Sequence, residues 1–153
     1  MTSTHVEKTA PETDDAATVS GLLNRYLLAL DSGGLDDAWA RGLFTADAVV
    51  SFPMATYEGI VGLAEWHRHS LEKFARTQHL NSPAVVECAG DEAEFGANLV
   101  STHVHRPGDE HAALFVTGTS VAGRARRTPA GWKLTRLSFD LVWRQGSPVP
   151  PAG

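Results

Sequence analysis

Five strand-like segments follow one another in the second half of the chain, and this succession constrains the fold more than any other feature. They are Thr77–Leu80, Ala84–Cys88, Glu92–His105, Ala112–Arg127 and Trp132–Trp143. Turn signals separate them, among them Asn81-Ser82-Pro83 and Pro129-Ala130-Gly131. Because consecutive strands joined by short turns pair antiparallel, we expect one curled sheet built mainly from antiparallel neighbours.

The first half of the chain carries helical periodicity instead. An apolar stripe predicts a helix over 15–32 that ends at Ser32-Gly33-Gly34. The residues of this stripe are Val19, Leu22, Leu23, Tyr26, Leu27 and Leu30. Two further helices are predicted at Leu35–Gly42 and 60–76, with a strand at Ala48–Pro53 and a turn at Tyr57–Gly59 between them. Helices followed by strands predict an α+β fold whose helices cover the concave face of the sheet and form a pocket.

The long strand Glu92–His105 alternates in a way that assigns its two faces. Its odd-numbered positions are more apolar at the start and end in His103 and His105, so we expect this face to point inward. Its even-numbered positions include Val100, Thr102 and Val104, which then lie on the outer face. A single inward histidine is more often a hydrogen-bonded structural residue than a catalytic one. A catalytic role therefore needs further polar residues close to it.

Asp31 and His79 are the neighbours that give the histidines a chemical context. Asp31 lies four residues after Leu27 and therefore extends the inward stripe of the first helix. A carboxylate at a helix C-terminus opposes the helix dipole, so local helix energetics do not explain its presence. A histidine paired with a buried carboxylate keeps one tautomer and can remove a proton near neutral pH.

These motifs, in their order and spacing, resemble the SnoaL-like family of the nuclear transport factor 2-like superfamily. The resemblance covers about residues 15–146 and is closest to the branch with scytalone dehydratase. The motifs that carry it are Tyr26-Leu27-Leu28-Ala29-Leu30-Asp31-Ser32-Gly33, Leu43-Phe44-Thr45-Ala46-Asp47-Ala48-Val49, Gln78-His79-Leu80, Gly131-Trp132-Lys133-Leu134 and Val142-Trp143. The resemblance implies a conical half-barrel of mixed or antiparallel strands with about three N-terminal helices over its concave face. It also implies a homodimer formed through the outer sheet face, or a higher homo-oligomer.

The same resemblance implies a catalytic set of one aspartate and two histidines. Position by position these are Asp31, His79 and His103, with His103 preferred to His105 as the second histidine. Leu30 stands where scytalone dehydratase has a tyrosine, which argues against the same substrate. The expected substrate-binding residues are Tyr26, Phe52, Met54, Trp66, Leu99, His105, Phe115 and Trp143. The expected reaction is dehydration, isomerisation or cyclisation of a small apolar oxygenated molecule, such as a polyketide-type intermediate of secondary metabolism.

Composition narrows the remaining classes of protein. The length of 153 residues fits one domain at 15–146, with a disordered tail at 1–14 and a flexible tail at 147–153. A net charge of −5 argues against nucleic-acid binding, and no apolar run reaches membrane length, so we expect a cytoplasmic protein. His67 and His69 are two residues apart on a helix and cannot chelate one metal together, and no phosphate-binding glycine motif occurs. We expect no metal and no cofactor.

Two other kinds of function stay open at this point. A non-catalytic ligand-binding or dimerisation module, or the structural small subunit of a ring-hydroxylating dioxygenase, would share the fold without needing the Asp–His pair. Epoxide hydrolysis would need an Asp–Arg–Asp set, for which Arg136 and Asp140 are the candidates in this sequence. The presence of Asp31, His79 and His103 together favours an enzyme.

Overall fold

The computed structural model of the protein describes residues 10–107 and 114–148, with side chains from residue 14 onward. Within these ranges the helices are α1 (Ala10–Ser32), α2 (Asp37–Leu43) and α3 (Leu63–Leu71). The strands are β1 (Phe44–Phe52), β2 (Ala55–Glu58), β3 (Arg76–Asn81), β4 (Val85–Ala89), β5 (Glu92–Val104), β6 (Leu114–Thr128) and β7 (Gly131–Gln145). The predicted α+β class, with helices against a curved and unclosed mixed sheet, is confirmed.

Several predicted boundaries differ from those observed. Helix α1 begins at Ala10 instead of near 15, and α3 covers nine residues instead of the predicted 60–76. Gly62, with a φ of 78°, precedes α3 and restricts its start. The turn predicted at Tyr57–Gly59 is wrong, because Tyr57 lies in β2 and pairs with Val50 of β1. The hairpin turn falls earlier, between β1 and β2.

In the strand order β2-β1-β7-β6-β5-β3, the first strand, β1, lies beside the last one, β7. Strands β5, β6 and β7 form the long antiparallel centre, while β1 joins β7 in parallel. Strand β5 is long enough to have two partners on one side, β3 along its second half and β4 along its first. This arrangement places the start of β3, which carries Thr77 and His79, beside His103 and Ser101 of β5.

Helix α1 lies across the concave face of the sheet, in contact with β3, β4, β5 and β7. Its apolar stripe is buried, with Tyr26 and Leu23 fully inaccessible to solvent. The predicted alternation of β5 is confirmed, since Ala93, Phe95, Leu99 and Ser101 are buried while the residues between them are more exposed. Each buried large side chain of this kind contributes about 1.5–3 kcal/mol to the hydrophobic core.

A β-bulge near the end of β7 changes which side chains point inward. Leu141 pairs with Thr119 and Trp143 pairs with Gly118, so Val142 is the extra residue between them. Beyond the bulge the alternation is reversed: Trp143 lies over Gly118 on the outer face, and Arg144 opposes Thr117 on the inner face. No helix in the described ranges is long and apolar enough to cross a membrane.

Candidate active site

Asp31 reaches the start of β3 from the last turn of α1. Its Oδ1 lies 2.6 Å from Nδ1 of His79 and accepts a hydrogen bond of 2.9 Å from the Thr77 hydroxyl. Its Oδ2 accepts the backbone N–H of His79 at 2.7 Å. Three donors therefore converge on one carboxylate, which explains an acidic residue at a helix C-terminus where the helix dipole alone would disfavour it.

This pairing determines the tautomer of His79. A carboxylate already receiving two other hydrogen bonds acts as an acceptor, so Nδ1 of His79 carries the proton and Nε2 has a free lone pair. The His79 side chain is only 7% exposed and that of Asp31 16%. His79 also lines the main cavity, so the imidazole has one nitrogen held by Asp31 and a free nitrogen available to a bound molecule.

His103 lies across the cavity wall from His79, with ring centroids 6.1 Å apart and the rings nearly perpendicular. Its Nδ1–H donates to the backbone carbonyl of Phe115 at 2.9 Å, which again leaves Nε2 as an acceptor. Burial is the main cause that lowers the pKa of His103, and the nearby His79 adds to this effect. A neutral His103 can accept a hydrogen bond from a water or a substrate hydroxyl.

Two adjoining cavities open in front of these histidines, of about 200 and 170 Å³. They share Leu30, Phe52, Met54, His79, His103, Phe115 and Pro148. Most of the remaining wall is apolar, including Trp66 and Phe74 in one cavity and Leu99 and Phe139 in the other. An apolar space with a few convergent polar groups is the usual form of a small-molecule site.

Comparison with known protein families assigns the chain to one of them. The SnoaL-like domain family matches residues 11–138, which is most of the chain. The chain belongs to the SnoaL-like family. No curated protein matches the sequence significantly.

Several solved structures share the fold of this chain. A candidate scytalone dehydratase from Novosphingobium aromaticivorans has a TM-score of 0.78 at 16% identity, covering 90% of this chain and 91% of that one. A nuclear transport factor 2-like protein from Salmonella enterica has a TM-score of 0.75 at 18% identity, covering 88% of this chain and 96% of that one. A type 2 hexachlorocyclohexane dehydrochlorinase gives 0.77 at 16%, covering 95% of each chain. At these identities the likeness shows a shared fold.

Five of the predicted substrate-binding residues line the cavities of this SnoaL-like domain. They are Phe52, Met54, Trp66, Leu99 and Phe115. Phe52 stacks on Phe139 with ring centroids 4.6 Å apart, and Trp66 tilts against Phe52 at 5.6 Å. Met54 is 79% exposed and therefore lies at the cavity mouth.

Three predicted binding residues lie elsewhere. Tyr26 is fully buried and lines neither cavity, because its hydroxyl reaches His67 instead. His105 is buried beside Phe74 and donates from Nε2 to the carbonyl of Ser147, so the preference for His103 agrees with the geometry. Trp143 points to the outer face, because the bulge at Val142 reverses the alternation that predicted an inward position.

His67 lines the first cavity but was not among the predicted catalytic or substrate-binding residues. Its Nδ1–H donates to the carbonyl of Leu63 and its Nε2 accepts the Tyr26 hydroxyl, both at 2.8 Å. Burial lowers the pKa of His67 to about 4, so it is neutral at physiological pH. The sequence predicted that His67 lies on the third helix, but it did not predict a tyrosine partner 41 residues away.

Hydroxyl side chains form the polar part of the second cavity. Ser101 and Thr117 face each other across β5 and β6, and Thr119 follows at the next inward position. Within the described residues the buried Oγ1 of Thr119 has no hydrogen-bond partner. These groups lie opposite α1 and could bind an oxygen of a small molecule.

The groups considered for other chemistry do not meet in the cavities. Arg136 and Asp140 are exposed, and Arg136 lines a groove on the opposite face of the sheet with Glu94 and Arg124. Cys88 lies in β4, away from both cavities. In the described part of the chain, no three His, Cys, Asp or Glu side chains are arranged to hold a metal ion.

Proposed function

We propose that this SnoaL-like protein is a cofactor-independent acid–base enzyme, a dehydratase, isomerase or cyclase. Its substrate would be a small, largely apolar, oxygenated molecule such as a polyketide-type intermediate. The observation that carries the proposal is the Asp31–His79 pair, with a 2.6 Å Oδ1–Nδ1 contact at the wall of an apolar cavity. A structural or dimerisation module has no need of a buried, oriented base that faces an apolar cavity.

The pair supports a defined first step. Nε2 of His79 takes a proton from an acidic carbon of the substrate, and the C–H electrons enter the substrate as an enolate or a new double bond. The imidazolium that forms is stabilised by the Asp31 carboxylate, 2.6 Å from its other nitrogen. Such proton transfer by a positioned side chain contributes roughly 10²–10⁴-fold to the rate.

The second step distinguishes the three reaction types. In dehydration the C–O bond breaks, the imidazolium returns its proton to the departing oxygen, and water leaves. In isomerisation or cyclisation the proton returns to another carbon or to the newly formed alkoxide. His103 accepts a hydrogen bond through Nε2 and so orients the substrate hydroxyl or a water, because its lowered pKa makes it a poor proton donor.

Relatives of the same fold support elimination chemistry. Among the structural neighbours are a candidate scytalone dehydratase and a hexachlorocyclohexane dehydrochlorinase, whose names describe loss of water and of hydrogen chloride. An elimination of either kind removes a proton from a carbon next to the one that carries the leaving group, which is the role proposed for His79. The epoxide-hydrolase alternative has less support, because Arg136 and Asp140 are exposed and line neither cavity.

A panel of aromatic β-hydroxyketones and polyketide-like diketones tests the proposal. Wild-type protein, His79→Gln and a control, His69→Gln, would be compared for loss of water by mass and absorbance. His69 is a suitable control because its side chain is 85% exposed on α3. We expect turnover by wild type and by His69→Gln, and a loss of roughly 10²–10⁴-fold in His79→Gln. Equal rates in wild type and His79→Gln across the panel would contradict the proposal.

A further inference from the structure

The charged residues that line the two cavities are all cationic or histidine. Lys73 lines the first cavity and Arg144 the second, and no aspartate or glutamate lines either one in the described part of the chain. The sequence as a whole has 18 acidic and 13 basic residues, so this local excess of positive charge runs against the composition. The mouth of the site therefore has the opposite sign to the protein's net charge.

Arg144 owes its position to the β-bulge. With a regular strand, Trp143 would face the cavity and Arg144 the outer surface. Because Val142 is the extra residue, Arg144 opposes Thr117 on the inner face. Bulges often redirect a side chain next to an active site.

Lys73 lines the first cavity from another part of the fold. It lies in the turn between α3 and β3, beside Phe74, whose ring centroid is 5.5 Å from its Nζ. It lies close enough to His103 for its charge to be felt there, although burial is the larger cause that lowers the pKa of His103. The two cavities adjoin, since Pro148 and six other residues line both.

Neither cation has a carboxylate partner among the described residues. Other arginines of the sheet do: Arg124 pairs with Glu94 at 3.1 Å, and Arg127 pairs with Asp15 at 2.6 Å. Lys73 and Arg144 are exposed, so water solvates them in the free protein. An anionic group that reaches either cation would gain charge-assisted hydrogen bonds without first breaking an ion pair.

We propose that the substrate carries a carboxylate, which Arg144 and Lys73 bind at the mouth while the apolar body of the molecule lies against the aromatic wall. Arginine suits this role because its planar fork binds a carboxylate through two parallel hydrogen bonds. The inference rests on the proposed function, since it names the substrate class for the same site. It also gives the substrate one orientation, with its charged end at the mouth and its reacting carbon towards His79.

Binding of matched acids and amides tests this inference without turnover. Benzoate, cinnamate and 2-naphthoate, and the primary amide of each, would be titrated into the protein calorimetrically at about pH 8. We expect wild type to bind the best acid about tenfold more tightly than its amide, a difference of about 1.4 kcal/mol. Arg144→Gln and Lys73→Gln should each reduce that preference several-fold, because each should weaken binding of the acid more than binding of the amide.

Arg136→Gln is the matched control, because Arg136 is an exposed arginine of the same strand that lines the groove on the other face. A panel in which no acid is preferred to its amide overturns the inference. A loss of preference in Arg136→Gln equal to that in Arg144→Gln overturns it as well, since it would indicate a general charge effect. The acid preference should be retained in His79→Gln, because His79 is not one of the two cations. Binding therefore tests the carboxylate inference, while turnover tests the proposed function, and failure of one can be told from failure of the other.

Discussion

The carboxylate of Asp31 holds His79 through two bonds at once, 2.6 Å to the ring Nδ1 and 2.7 Å to the backbone N–H. The first bond sets the tautomer and the second fixes the carboxylate relative to the strand that carries the histidine. Thr77 adds a third hydrogen bond from the same face of β3. Side chain and backbone are therefore positioned together, as a preorganised base requires.

Asp31→Asn should lower turnover by roughly 10²–10⁴-fold, because an amide can donate to Nδ1 and favour the wrong histidine tautomer. The tautomer can be read from long-range ¹⁵N–¹H spectra of the imidazole. Asp140→Asn is the control, since Asp140 is exposed and lines neither cavity. A variant with unchanged tautomer and unchanged turnover would refute the role given to Asp31.

Acid should destabilise the protein through His67. Its folded-state pKa of about 4 lies below the ordinary 6.5, so between these values the unfolded chain binds more protons than the folded one. The contribution to stability is present above 6.5 and is lost as pH falls towards 4, by on the order of 2–3 kcal/mol. His103 acts in the same direction, because burial also lowers its pKa.

Urea denaturation at several pH values across this window measures the effect. In His67→Gln the pH slope of the unfolding free energy should be smaller than in wild type, whereas in His69→Gln it should match wild type. The exposed His69 side chain makes this comparison fair, because it lies on the same helix. An unaltered slope in His67→Gln would show that another group dominates acid unfolding.

Tyr26→Phe should destabilise the fold by about 1–3 kcal/mol, because it leaves the buried Nε2 of His67 without its donor. Tyr26 lines neither cavity, so kcat and KM should change little. Thermal unfolding and steady-state kinetics separate these two effects. A large loss of turnover at unchanged stability would instead place the phenol in the chemistry.

Gly123→Ala should also destabilise the fold. An added Cβ would lie 2.0 Å from Cζ of Phe95, which is buried directly across the strand pair, and relieving that overlap costs about 1–3 kcal/mol. Gly96→Ala is the matched control, because its added Cβ would be 3.7 Å from the nearest atom, the Val121 carbonyl oxygen. Urea midpoints compare the two variants, and equal midpoints would contradict the packing argument.

The homodimer stays a prediction. The outer face of the sheet exposes Val100, Val104, Leu114 and Trp143, which the pairing of β5, β6 and β7 brings near one another. If a second copy covers this apolar surface, Val104→Glu should shift the protein to a monomer in sedimentation velocity. Glu87→Lys on β4 is a control for an exposed charge change on the sheet. A monomeric wild type would refute the prediction.

Much of the site could be read from periodicity, because α1 and β5 are regular over their whole length. Asp31 continues the helical stripe that ends at Leu30, and His103 continues the inward positions of β5, so both patterns point to the same interior. His79 and Thr77 lie two residues apart in β3 and therefore share one face of that strand. Periodicity therefore predicted that Asp31 and His103 face the interior, whereas the choice of His79 as their partner came from the resemblance to the SnoaL-like family.

Tertiary structure decided what regular alternation does not encode. The insertion of one residue at Val142 exchanged Trp143 for Arg144 at the cavity, and only strand pairing reveals such a register shift. The hydrogen bond between Tyr26 and His67 joins residues that are 41 positions apart. Because of it, the Tyr26 phenol, which was predicted to bind substrate, is buried against His67. Local sequence sets the face on which a side chain lies, whereas register and long-range packing determine which of those faces meet.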